Sequence, residues 1–409
     1  MAVAVRAGGA MTRPLSAGLA RVYALAALFF TANAVLTVAI PLQAADRGVA
    51  EGEIGVMMGI YMFVCMLLRP WAGQLTARHG VAAVMRALLA GHAAAMLVYV
   101  VFGVDGMYVV RALQGATTAF FSMAMQIGIG QLLRDEDRGQ GMSMYSLSTV
   151  VPSLYGPAVA LALWERGDPV TLAAVVAALG VVPMLLLYRS PLPRAKPEEE
   201  EALPAAAGGR RAAWRTVRGH TELRLAAVVM LAGSCVFGAI SAFLPLYMVT
   251  TGLGSAALYL FLQAAVVVVS RFALRRAIPS DGRWHAGFVA SVLTCSAAGT
   301  ALLAVMPALG GFLYAAALFN GIAAALLYPT LATYMSFAIP KASKPALYGV
   351  FLGCYDFGFA FGGFAMGFVV EASSYAAMFG ACSLLALFAA AAAVRGRSKA
   401  SSAEKEVAA

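Results

Sequence analysis

A chain of 409 residues that is 62% hydrophobic and only 12% charged has more apolar surface than a water-soluble fold hides, since ordinary globular chains are roughly 45–50% apolar and about 25% charged. A helical membrane crossing takes about 20 apolar residues, so this composition supplies on the order of a dozen. The net charge of +10 would suit a nucleic-acid partner in a soluble protein, but here the basic residues sit between the apolar runs, where orientation in a bilayer accounts for them.

In chain order, the apolar runs predict spans at 20–43, 54–72, 82–103, 107–130, 141–163, 170–189, 223–248, 254–274, 286–306, 310–334, 346–370 and 376–394. Runs such as 84–102 and 376–394 are apolar on every face, which fits helices and not the alternating strands of a membrane barrel. The first run follows Arg6, Arg13 and Arg21 and mimics a signal peptide, yet its length and the spans behind it favour a retained helix. The expected fold is therefore an all-α polytopic membrane protein with twelve transmembrane helices.

Orientation follows from the basic residues. With the amino terminus inside, the outer loops hold only Arg47 and Arg166, while the inner segments collect Arg78, Arg134, Arg138, Arg189, Arg283, Lys341, Lys344 and a cluster in 194–218. Both termini are expected on the cytoplasmic side of the cell's inner (plasma) membrane. The stretch 191–222 is rich in Pro, Glu and Arg, the composition of a solvated linker. It divides an amino-terminal bundle over 15–190 from a carboxy-terminal bundle over 223–396, with a cytoplasmic tail at 397–409.

The halves resemble each other. Pro41-Leu42 with Gly48 recurs as Pro245-Leu246 with Gly252, Arg69 and Gly80 as Arg271 and Gly282, Gln114-Gly115 as Asn320-Gly321, and Gly156 as Gly362-Gly363, at offsets of 204, 202, 206 and 206. Four matches in order at nearly constant spacing point to a duplicated six-helix unit with a pseudo-twofold axis along the membrane normal. Such a fold places a cavity between its halves.

An ionised residue at membrane depth costs about 2.5–3.5 kcal/mol on insertion scales, so each one should face a wet cavity or a partner. Arg111 in the fourth span is followed by Gln114, Thr118, Ser122 and Gln126, a polar stripe along one helix face. Tyr145, Thr149, Ser153 and Gly156 form a matching stripe in the fifth. Asn33, Asn320 and Tyr328 are further cavity candidates. Asp356 is the one carboxylate read well inside the membrane, and two roles stand open for it: a proton-coupling group, or helix glue bonded to a neighbour such as Arg111. The glycines from Gly349 to Gly367 around it permit close helix approach. The five cysteines and four histidines are scattered without ligand spacing, so no protein-bound metal, cofactor or disulfide framework is expected. A phosphate-binding G-x-x-x-x-G-K-[ST] loop is missing from the sequence, which leaves a gradient to drive any transport. No Ser-His pairing or two-histidine site lies at membrane depth, so an enzyme is not expected.

The loop G-x-L-x-x-R-x-G at Gly73–Gly80 with Arg78 inside it, the R-x-x-Q-G at Arg111–Gly115, and the Gly156-Pro157 pair resemble the loop, fourth-helix and antiporter motifs of the major facilitator superfamily. Ala77, Val81 and Ala82 depart from the usual loop, and Pro152 stands where the antiporter motif has glycine. A narrower resemblance is carried by G-A-M-T-R-P-L-S (9–16), L-F-F-T-A-N-A (28–34), R-P-W-A-G (69–73), T-A-F-F-S-M-A (118–124) and G-Q-G-M-S-M-Y-S-L (139–147), which are similar to exporters of opine-type metallophores of the staphylopine, pseudopaline and bacillopaline kind. That resemblance implies a monomeric, proton-coupled exporter supporting metal acquisition, zinc included. In it Asn33, Arg111, Gln114, Gln126, Tyr145, Asn320 and Tyr328 would bind substrate. Asp356 with Arg111 would couple to protons, and Gly73, Arg78, Gly80, Gly156 and Pro157 would gate. Its partners would be the metallophore, protons and the lipid bilayer, with no nucleic acid. The alternative is a drug or small polar solute carrier of the same superfamily.

Overall fold

The computed structural model describes residues 16–192, 221–274, 277–279, 283–338 and 344–407; most of the expected linker, and Gly282, lie outside them. The described chain is helical almost throughout. In the amino-terminal half run α1 (Ala17–Asp46), α2 (Glu51–His79), α3 (Val81–Phe102), α4 (Met107–Leu132), α5 (Asp135–Val150), α6 (Pro152–Glu165) and α7 (Pro169–Tyr188). In the carboxy-terminal half run α8 (Thr221–Thr251), α9 (Ala256–Ala273), α10 (Ala286–Ala304), α11 (Ala315–Ala338), α12 (Lys344–Ala372) and α13 (Tyr375–Val407). Among the described residues ten apolar helical stretches are long enough to cross a bilayer. One of them, Val81–Leu132, holds both α3 and α4, and the shorter Ala256–Arg271 completes twelve crossings.

The fifth crossing expected over 141–163 runs through α5 and α6 as one stretch, with Val151 between them at helical angles (φ −53°, ψ −39°) and only the hydrogen bonding interrupted at Pro152. Proline offers no N–H to the helix and its ring crowds the carbonyl one turn back. Several helices also outrun their apolar cores. α2 continues seven residues beyond position 72 to His79, and α13 carries through the expected tail to Val407 on residues rich in the good helix formers Ala, Lys and Glu.

The turns at the end away from the termini are short and chemically specified. Asp168 caps α7 by accepting from the Val170 N–H at 2.9 Å and from the Thr171 hydroxyl. The hydroxyl first, then the amide, holds its carboxyl below the usual carboxylate range. At the opposite end Gly80 alone joins α2 to α3, with φ +80° and ψ 154°, and its N–H closes on Thr76 O at 2.9 Å. That backbone region is nearly closed to residues with a Cβ.

Helix packing repeats between the halves. α1 packs on α6 and α7 as α8 packs on α12 and α13, and α2 packs on α4 as α9 packs on α11. Across the halves, α2 meets α12, α9 meets α6, and α1 meets α8. The architecture is the expected six plus six. Its most intimate joint is α12, which presents two glycine faces. Gly358 and Gly362 press on the α8 backbone at Leu231 and Cys235. Gly363 and Gly367, about 100° further round, press on α2 at Gly55, Gly59 and Glu51. A Cβ on Gly367 would lie 2.6 Å from Glu51 O. Phe357, Phe361, Phe364 and Phe368 take the exposed face of the same helix, the place for aromatic rings against acyl chains.

Candidate functional site

A cavity of about 190 Å³ lies between the halves, lined on one side by Asn33, Thr37, Met58, Tyr61, Arg111, Thr149 and Ser153 and on the other by Gly238, Ser241, Ala242, Phe359 and Gly363. Its polar equipment is almost wholly amino-terminal. Arg111 is 1% exposed; its guanidinium donates to Gln114 Oε1 at 3.2 Å, to Leu36 O at 3.0 Å and to Met58 Sδ at 2.9 Å. The Tyr61 ring lies 5.9 Å away, and Nε has no partner. Gln114 in turn donates to Asn33 Oδ1 at 3.0 Å, and Asn33 Nδ2 donates to Thr118 Oγ1 at 3.2 Å and to the Tyr61 hydroxyl at 3.4 Å. The Tyr61 hydroxyl closes the relay on Thr118 at 3.2 Å.

Neutral side chains thus fix the orientation of a buried cation without neutralising it, and no carboxylate pairs with Arg111 among the described residues. A guanidinium carries five donors in a planar fork matched to a carboxylate. Leaving it buried and uncompensated is costly. An anionic group entering the cavity would remove that cost, and this is what the arrangement is chemically able to do.

The carboxylate expected to meet Arg111 is engaged elsewhere. Asp356, fully buried on α12, receives two hydrogen bonds from Arg69 on α2: Nε to Oδ2 at 2.5 Å and Nη2 to Oδ1 at 2.9 Å. Arg69 also reaches Cys65 Sγ at 3.6 Å, and its side chain keeps 27% of its exposure. This bidentate pair ties the two halves together. In the sequence Arg69 stands out only as half of a repeat, because the apolar run of the second span stops at 72 and sets it at a helix end. With α2 running to His79, Arg69 stands ten residues, about 15 Å, from that end.

The remaining candidates divide. Thr149 and Ser153 reach the cavity on either side of the α5/α6 junction, beside Pro152, while Gly156 packs α6 on α1, where a Cβ would sit 2.5 Å from Ala34 Cβ. Pro157 lies inside α6. The stripe expected along α4 does not all face the cavity. Gln114 and Thr118 act one layer behind Asn33, Ser122 bonds the Ala119 carbonyl, and Gln126 is exposed. Asn320 is fully buried in the carboxy-terminal half and donates to the Tyr259 hydroxyl at 3.0 Å, away from the cavity lining. Tyr145 is packed with the Phe29 and Phe121 core. Tyr328 stacks edge-on against Tyr355, centroids 5.5 Å apart, close to Arg69. Gly73 faces Met123, whose Cγ would lie 3.8 Å from a Cβ placed on that glycine, and Arg78 is exposed beyond it. Among the described residues no three His, Cys, Asp or Glu side chains gather as a metal site.

The sequence pattern described as Major Facilitator Superfamily matches residues 22–290. The chain belongs to that superfamily. It is a multi-pass membrane transport protein, not an enzyme. Among relatives, it is 37% identical over 380 residues to the staphylopine export protein of Staphylococcus aureus, a match covering 93% of this chain and 95% of that one. Solved superfamily folds align along nearly its whole length. The nucleoside transporter NupG gives a TM-score of 0.72 at 13% identity, covering 92% of this chain and 99% of the other. The human organic anion transporter MFSD10 gives 0.65 at 18% identity, covering 92% and 98%. At those identities the structural likeness speaks for the fold alone.

Proposed function

We propose that this protein exports an opine-type metallophore of the staphylopine kind from the cytoplasm, by alternating access coupled to protons. It works as a monomer in the inner membrane with both termini cytoplasmic. The observation that carries the substrate class is the 37% identity to the staphylopine export protein across 93% of the chain; the uncompensated Arg111 fork in the cavity fits a carboxylate of such a ligand.

The mechanism follows from the two arginine sites. A cavity of about 190 Å³ is smaller than the roughly 300–1,000 Å³ of ligand pockets in general, so substrate is admitted only when the bundles, taken as residues 15–190 and 223–396, tilt apart. The Arg69–Asp356 bridge holds α2 against α12 in the half of the molecule nearer the termini. A proton on Asp356 removes one charge of that bridge and frees the inner half to open. Substrate then enters and sets a carboxylate on Arg111, with Asn33 and Gln114 fixing the fork and Thr149 and Ser153 offering further polar contacts. Release of the proton to the cytoplasm restores the bridge, closes the inner half and commits the cargo to the outside. Each charge moved down the membrane potential supplies about 2.3 kcal/mol per 100 mV. Gly73, Arg78 and Gly80 at the α2–α3 turn, and Gly156 and Pro157 on α6, lie where the tilting elements bend.

The test is made on cells and on vesicles. Deleting the gene should trap metallophore inside and deplete it outside, as read by mass spectrometry, and an unchanged distribution refutes export. In inside-out vesicles Arg111→Gln should weaken apparent staphylopine affinity roughly tenfold to hundredfold, the value of a charge-assisted hydrogen bond, while the protein stays folded.

A further inference from the structure

The repeat that relates Arg69 to Arg271 also relates Gly156 to Gly362, and at that second offset of 206 the position matching Asp356 is Val150. The symmetry is therefore broken at one point. In one half an arginine meets a carboxylate across the interface, and in the other the arginine is kept while the carboxylate is replaced by valine.

Arg271 stands near the end of α9, its side chain half-buried, and its Nε is buried without a hydrogen-bond partner. It takes no part in the ion pairs among the described residues, Arg47–Asp105 and Arg69–Asp356. Tyr355 and Tyr328 are the titratable groups that interact with it, and their rings meet edge to face. Tyr355 adjoins Asp356 in sequence, and Tyr328 also neighbours Arg69. The pair Tyr328 and Tyr355 thus stands between the Arg69–Asp356 bridge and Arg271. Counting turns, Arg271 lies about 22 Å and Asp356 about 24 Å from the outer ends of their helices, whereas Leu36 and Met58, which the Arg111 guanidinium bonds, lie about 15 and 10 Å from theirs.

We infer that Arg271, with Tyr328 and Tyr355, forms a second carboxylate-binding subsite on the carboxy-terminal wall, on the cytoplasmic side of the Arg111 cavity. A half-buried cation with a buried, unpartnered Nε and tyrosines beside it is a receptor for a carboxylate. Arg271 lies about 7–12 Å nearer the cytoplasm than the groups Arg111 bonds. Arg271 is thus the first anchor that an anion coming from the cytoplasm meets, and Arg111 the second. The inference rests on the transport reading for its direction, but the subsite itself does not.

Two measurements separate the two. In inside-out vesicles Arg271→Gln should raise the KM for staphylopine about tenfold with kcat within about twofold of wild type, because affinity at the inlet is lost and the later steps remain. Arg271→Lys, which keeps the charge, should recover most of it. An unchanged KM, or a fall in kcat alone, overturns the inference. On purified protein, citrate as a carboxylate probe should raise the Tm of wild type and of Arg111→Gln, and should raise that of Arg271→Gln clearly less than wild type, by the Arg111 share alone. No citrate shift in wild type, or an equal shift in Arg271→Gln, overturns the subsite. If wild-type vesicles take up no staphylopine while the citrate shift still depends on Arg271, the transport reading fails and the subsite stands.

Discussion

Arg69 and Asp356 are the residues on which the two halves most directly depend on charge. Removing one partner of a fully buried pair costs about 3–5 kcal/mol. Arg69 is 27% exposed, so Asp356→Asn should cost less, about 1–3 kcal/mol, with solvent taking up part of the stranded charge. The functional effect should be larger than the structural one. Asp356→Asn mimics the protonated acid, so its transport should be flat across neutral pH where wild type is pH-dependent. Measuring uptake against pH in vesicles, beside Tm for folding, checks both. A variant that keeps the wild-type pH profile removes Asp356 from the coupling step. Arg111 and Asp356 are legible in the sequence as charges too deep to be ornamental, because hydrocarbon makes every such residue conspicuous. Their partners are not. Which of three intramembrane arginines meets the one acid depends on helix rotation and depth, and a shift of seven residues in the end of α2 is enough to hide Arg69.

Among the elements, α12 carries the strongest constraint, since it is flanked by backbone on two sides. Gly362→Ala would drive a methyl into the Cys235 carbonyl of α8, and overpacking of this sort costs about 1–3 kcal/mol. Gly380 on α13 has nothing within 4 Å of a Cβ, so Gly380→Ala should be neutral or stabilise by about 0.4–1 kcal/mol. Tm of the two purified variants decides it, and similar values would mean that α12 is not held by contact at that glycine. The glycine run is visible in the sequence as spacing, but its division between α8 and α2 is not. Spacing says that helices approach and leaves open which ones.

For the molecule as a whole, the α2–α12 joint should work as a lock. Met66 and Gly353 face each other there, with Met66 Cγ 3.9 Å from a Cβ placed on Gly353, so a sulfur in the place of that Cγ needs only a small approach of the helices to bridge to position 353. In a background without the five native cysteines, Met66→Cys with Gly353→Cys should arrest transport on oxidation and restore it on reduction. Continued transport by fully cross-linked protein would show that these helices do not separate during the cycle. The twelve crossings and the duplication are the most legible features of all, because each is written many times over in composition and offset. The cavity is the least, because it is a space and not a residue.

The lopsided lining of that space has its own consequence. Arg111, Asn33, Tyr61 and Thr149 belong to one half, while the other contributes mainly the small surfaces of Gly238, Ser241 and Ala242. A passenger held there keeps the same companions whichever way the carrier leans, and only the smooth wall slides past it. Cargo preference should accordingly travel with the first half of the chain when halves are exchanged between related carriers, the second half setting how readily the door swings.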